Sequence, residues 1–199
     1  FASWGPEILN QIIIGIDFNA DNQLIHEFIQ DHSYRMAVNV NETTKKKIQD
    51  IFDTAVDNGE SVPQIMKRIR AEFADIGKVR ANMIARSEIM RAHNASSEMA
   101  YIQSGVVEFK QWYTARDERR CPFCAEMHGK TMAVGGEYFK QGDRFEVTDS
   151  EGKRHVMKLD YSDIKYPPLH IRCRCVLLPI VFENGKMYVI LFGKWFRVK

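Results

Sequence analysis

Apolar positions in the middle of this chain recur with the period of an α-helix. From Asn41, a good N-cap residue, they fall at Ile48, Ile51, Phe52, Ala55 and Val56, the stripe of an amphipathic helix that Asn58-Gly59 ends. Ser61 stands three residues before Gln64 with Pro63 in the first turn, a capping-box pattern opening a second helix with Ile65, Ile69 and Phe73 inward. A third helix is predicted over 78–103. On it Ala81, Ala85, Glu88, Ala92 and Ala95 share one stripe, so a carboxylate sits among small residues that permit close approach of another element. Glu88 should need a cationic partner; Arg86 and Arg91 are near in sequence but read as lying on other faces. Before residue 41 the pattern is mixed, with Trp4, the run Ile12-Ile13-Ile14 and a short helix over 22–34.

Past Gly105 the period changes. Residues 106–113 are rich in β-branched and aromatic side chains and read as a strand. Residues 130–134 lead to a Gly135-Gly136 turn, and the runs 145–148 and 155–159 flank Asp149-Ser150-Glu151-Gly152, predicting a β-hairpin insertion. The apolar runs from Val176 and from Met187 flank Asn184-Gly185, a strong hairpin signal, and Pro179 places its strand at an edge or bulge. The expected fold is α+β: an N-terminal segment 1–40, a helical domain 41–104, a β-rich module 105–182, and residues 183–199 completing a C-terminal hairpin and tail.

A length of 199 residues fits one domain with an appendage or two small ones, and 45% hydrophobic with 27% charged residues excludes a disordered or low-complexity chain. The 28 Lys and Arg against 26 Asp and Glu leave +2, too little for a general attraction to nucleic acid. Contact with DNA would have to be local. Lys45-Lys46-Lys47 and Arg119-Arg120 read as solvated; Arg172, Arg174, Lys194 and Arg197, the last two interleaved with Trp195 and Phe196, are the candidates for touching DNA or a protein partner. The apolar runs fall far short of the roughly 20 residues that span a bilayer, so no membrane association is expected. No signal-peptide pattern is visible, and a first residue of Phe suggests a processed product or an excerpt.

The four cysteines are Cys121, Cys124, Cys173 and Cys175, none lying earlier in the chain. Cys121-Pro122-Phe123-Cys124 is a C-x2-C knuckle, and His170 to Cys175 spells H-x2-C-x-C. Thiolates suit a tetrahedral zinc ion, and two pairs from distant parts of the chain would tie off the insertion at its base. Five candidate ligands compete for four places. On an extended strand Cys173 and Cys175 point the same way, favouring four cysteines, whereas a turn after Pro167-Pro168 brings His170 in and leaves one cysteine out. Either set is all protein, which makes the ion structural, because a catalytic zinc keeps an open position. Disulfides or reduced core cysteines are the alternatives. His93 and His128 have no nucleophile motif beside them, Asp117-Glu118 and Asp160 with Asp163 read as solvated carboxylates, and no Asp–His dyad is expected. No enzyme is indicated.

The ordered series Ile84-Ala85-Arg86-Ser87-Glu88, Asn94, Gly105-Val106-Val107, Lys110-Gln111-Trp112, Asp117, Cys121-Pro122-Phe123-Cys124, His128-Gly129-Lys130 and Pro167-Pro168-Leu169-His170-Ile171-Arg172-Cys173-Arg174-Cys175 resembles the tailed-phage minor head proteins typified by the F protein of phage Mu. The match runs over roughly residues 40 to 180. The family more often has Thr at position 87 and Pro at 171, and the 141–163 segment looks like a lineage-specific insertion. The resemblance implies a non-enzymatic minor capsid protein of the virion, assembled in the host cytoplasm. It would be associated with the portal vertex, contact portal protein and major capsid protein, and act in head morphogenesis and DNA packaging or ejection. It also implies a structural role for the helix carrying Arg86, Ser87, Glu88 and Asn94, and no small-molecule substrate. Two other classes of function stand beside it: a zinc-supported HNH-like nuclease, and a DNA-binding module presenting Arg172 and Arg174 to phosphates.

Overall fold

Each helix predicted between residues 42 and 104 forms, and for the reasons the pattern suggests. The computed structural model describes residues 42–73, 78–160, 162–191 and 194–198; the expectations for residues 1–40, for Asn41 as a cap and for the Ala81 side chain lie outside the described residues. Helix α1 (Glu42–Asp57) buries Ile48, Phe52 and Ala55, and α2 (Val62–Glu72) buries Ile65 and Ile69. The Gln64 side chain accepts the Ser61 backbone N–H at 2.8 Å, so one half of the capping box is made as read. Helix α3 (Lys78–Ser104) ends at Gly105, whose φ of 64° is a left-handed conformation that suits glycine.

The β-rich half is as expected in kind and differs in detail. The first strand starts three residues late, as β1 (Phe109–Tyr113), followed by the short helix α4 (Pro122–Met127) and β2 (Thr131–Ala133). The insertion is a separate two-stranded ribbon of β3 (Arg144–Thr148) and β4 (Arg154–Lys158). Strands β5 (Val176–Glu183), β6 (Lys186–Leu191) and β7 (Lys194–Arg197) complete a five-stranded sheet in the order β2-β1-β5-β6-β7, with antiparallel pairing at each junction. The Asn184-Gly185 turn joins β5 to β6, both residues having positive φ, and β7 adds a strand beyond the predicted hairpin.

Pro179 lies on β5, a central strand, where a missing N–H would ordinarily break a ladder. The sheet explains it. Pro179 pairs with Lys110 of β1, while the register with β6 begins only at Ile180, opposite Val189. Over Val176–Pro179 the strand has a single β neighbour, so proline behaves there as on an edge.

Helix α3 covers that open stretch. Ile84, Ala85, Ala92 and Ala95 pack with α1 and α2, while Tyr101 packs with Val107, Leu177, Val181 and Ile190 of the sheet side. Both backbone groups of Leu177 go to the helix: its N–H donates to Asn94 Oδ1 at 2.9 Å, and its carbonyl accepts from Tyr101 Oη at 3.1 Å. Asn94 Nδ2 donates in turn to the Cys175 carbonyl at 3.1 Å and to Met90 O at 2.8 Å. Side chains of a helix thus stand in for the strand that β6 does not supply. Replacing Asn94 by Ala strands a buried N–H and a buried carbonyl, and is expected to lower stability by about 3 kcal/mol in urea unfolding, with Asn94→Asp recovering only part.

Candidate metal centre

The cysteines are positioned by two different devices. Cys121 caps α4, its sulfur accepting the Cys124 N–H at 3.4 Å, with Pro122 at the first helical position where no donor is missed. Burial of Phe123 against Phe145 and of Met127 in the module core holds that helix turn in place. The second half follows Pro167-Pro168 as a turn: the Cys173 N–H donates to the His170 carbonyl at 3.1 Å, and Arg172 takes a left-handed φ of 63°. Cys173 and Cys175 therefore precede β5, which begins at Val176, and the four-cysteine argument from an extended strand does not apply.

The turn brings His170 in. Its Nε2 lies 3.1 Å from Cys121 Sγ and 3.2 Å from Cys124 Sγ, while Cys124 Sγ lies 3.8 Å from Cys173 Sγ. The five donor atoms form two triads that share Cys124: Cys121, Cys124 and His170, and Cys124, Cys173 and Cys175, each with its atoms within 4.8 Å of one another. The four cysteines are free thiols, not disulfides. His170 Nδ1 stands 2.7 Å from the Ile171 carbonyl and donates its proton to it, which makes Nε2 the nitrogen that faces the sulfurs. That is the usual support of a metal-ligating histidine. Burial pushes the imidazole pKa down, but the Cys121 sulfur and the Ile171 carbonyl outweigh it and hold it above its ordinary value. The hydrogen bond with Cys124 holds the Cys121 thiol well below its ordinary value. Donor chemistry, distances and histidine tautomer all fit a tetrahedral zinc, and the cluster could hold a metal ion.

The sequence-predicted helix residues fall into place around this cluster. Ser87 Oγ accepts the Arg172 N–H at 3.4 Å, and Asn94 holds Cys175 and Leu177, so α3 fastens the backbone on which the second pair of sulfurs sits. Glu88 is buried, with Arg91 Nε at 3.5 Å. The reading that put Arg91 on another face is corrected: residues three apart are neighbours on a helix. Burial raises the Glu88 carboxyl pKa against the pull of Arg91. Arg86 is exposed. Arg174 makes a two-pronged ion pair with Asp117, at 2.6 and 2.7 Å, so this arginine is engaged with a carboxylate, and Asp117 is a solvent-facing carboxylate that has a partner. Arg172, Lys194 and Arg197 are exposed.

Sequence reading missed a second buried cluster. Lys110 Nζ, fully buried on β1, donates to Glu98 Oε1 at 2.5 Å and to the Gly136 carbonyl at 2.8 Å. The same Glu98 oxygen accepts the Gly135 N–H at 2.8 Å, and Tyr138 Oη donates to the Lys110 carbonyl. Burial pushes Glu98 up and Lys110 down, each against the attraction of the other. The signal was present, since the stripe through Glu88 and Ala95 continues one turn on to Glu98 and then Tyr101. An Asp–His contact also exists where none was expected: His155 Nε2 is 2.7 Å from Asp149 Oδ2. It closes the β3–β4 turn, where Asp149 also accepts the N–H groups of Glu151 and Lys153, and it belongs to neither metal-capable triad.

A model of the family described as Phage Mu protein F like protein matches residues 46–178, two thirds of the chain, from α1 into β5. The chain belongs to that family. It is also similar to the uncharacterized protein YqbB of Bacillus subtilis (strain 168), 22% identical over 174 residues. Those residues are 87% of this chain and 54% of the relative, so the chain spans about half the length of the curated protein it matches. No solved structure matches it. The Phage Mu F-like family is one of phage head morphogenesis proteins, and its matched span contains α3, both halves of the cysteine cluster and the Glu98–Lys110 pair. None of the described helices is long and apolar enough to cross a membrane.

Two outcomes test these assignments. Lys110→Met, which leaves Glu98 buried without its cation, is expected to cost about 3–5 kcal/mol in chemical unfolding, and adding Glu98→Gln should restore a large part of it. Asp117 is held down to about 2 by the Arg174 hydrogen bonds, below its ordinary 3.8. The pair therefore contributes stability that is fully present above about pH 4 and disappears as the pH falls through 2. Asp117→Asn should melt below the parent at pH 6, with the gap closing between pH 4 and pH 2.

Proposed function

We propose that this chain is a non-enzymatic minor head protein of a tailed phage that sits at the portal vertex and acts in head morphogenesis and in DNA packaging or delivery. One observation carries the reading: the family match covers the whole apparatus that joins helices to sheet, from α1 to Leu178 of β5. Within that span Asn94 and Tyr101 bond β5 and Glu98 bonds Lys110 of β1, as suits a part that holds its shape under load. Its partners on this reading are portal protein and major capsid protein, with any contact to DNA weak given the near-balanced charge. It resides in the virion and, during assembly, in the host cytoplasm.

The cysteine cluster serves this role as a structural zinc site. Zinc would supply the cross-link that a chain with no disulfide among its described cysteines otherwise lacks between α4 and the turn before β5. Co-expression with the portal protein of the same phage should yield a complex that survives size-exclusion chromatography; absence of such a complex, and of the chain from purified virions, would overturn the assignment to the portal vertex. Purified protein should carry zinc in equimolar amount and melt at a lower temperature after chelation, whereas a metal-free preparation with unchanged melting removes the zinc reading.

A further inference from the structure

Which four donors hold the ion follows from how the five are anchored. We infer that the ligands are Cys121, Cys124, His170 and Cys173, with Cys175 left outside as an interior thiol; this rests on the zinc reading above and refines it. A tetrahedral zinc with bonds of about 2.3 Å to sulfur sets its sulfurs about 3.8 Å apart. The Cys124–Cys173 separation is 3.8 Å. Cys121, Cys124 and His170 already form one face of a site, all three atoms within 4.8 Å of one another. The fourth donor must then come from Cys173 or Cys175.

Three features choose Cys173. It shares a turn with His170, closed by the bond from its N–H to the His170 carbonyl, so H-x2-C repeats the spacing of C-x2-C and each ligand pair lies within one turn of backbone. That turn makes no ladder pairing with the sheet, and the Arg172 N–H reaches Ser87 of α3 at a long 3.4 Å, which leaves room for the small closure that draws Cys173 onto the ion. Cys175 has no such freedom: its carbonyl is held by Asn94, and the next residue, Val176, is already paired with Tyr113 in the sheet. Its sulfur lies within 4.8 Å of the Cys124 and Cys173 sulfurs and so borders the cluster, but it is not grouped with Cys121 and His170, whose face the fourth donor has to complete. A four-cysteine site would in addition leave His170 Nε2, turned towards two sulfurs by the bond from Nδ1 to the Ile171 carbonyl, outside the donor set.

X-ray absorption at the zinc edge of the full-length, zinc-loaded chain reads the donor set directly, and cobalt substitution gives a second readout through the sulfur-to-metal charge-transfer band, whose intensity scales with the number of thiolates. The expected result is three sulfurs and one nitrogen. Cys175→Ala should leave both the donor set and the metal affinity unchanged, while His170→Ala should weaken metal binding by at least about tenfold. Four sulfurs without nitrogen, or loss of one sulfur in Cys175→Ala, would overturn the assignment while leaving the zinc site standing. A chain that takes up neither metal would overturn the zinc reading itself, and the assignment with it.

Discussion

A helix placed between two packing layers can keep a polar sequence only if each group it carries inward finds a partner, and α3 lives under that constraint. Its Ala-lined side lies against α1 and α2, and its other side meets the sheet. Ser87, Glu88, Arg91, Asn94 and Glu98 are all buried along it. An apolar replacement of the whole set would pack as well, but it would not fix the helix in one position. Asn94 and Tyr101 bond one particular residue of β5, and Glu98 bonds one particular lysine of β1, so the helix can dock in a single register. The sheet, the turn before it and the sulfur cluster take their positions from that docking.

Much of this was written plainly in the chain. The apolar stripes located α1, α2 and α3 but not the one-turn helix α4, the turn residues at Asn184-Gly185 and in the 149–152 loop located two hairpins, and cysteine spacing located the cluster. What the linear pattern hides is pairing at long range. Glu98 and Lys110 are each ordinary surface types by composition, and only the fold shows that one stretch of β5 lacks a neighbour strand and that a helix must cover it. Pro179 was the local trace of that gap: it pointed to an edge, and the strand is central yet one-sided at that place. Likewise His170 could be weighed against the fourth cysteine only when its turn, rather than an extended strand, was seen to precede β5.

The same contacts explain why the motif residues come as a set. Ser87 and Asn94 are separated from Cys173 and Cys175 by some eighty positions, yet they hold the backbone from which those sulfurs project. Hydrogen bonds from the helix and the contacts of His170 and Cys173 with the Cys121–Cys124 knuckle act on the same short segment, residues 170–177.

The β3–β4 ribbon is built on a different principle. It pairs only with itself, in a sheet of its own, and leans on α4 through the ring contact of Phe145 with Phe123 and on the segment before β3 through Phe139. No ladder of the main sheet passes through it. Lengthening or shortening its tip would shift no register elsewhere, so this arm can change in size and surface while the frame beneath it stays the same.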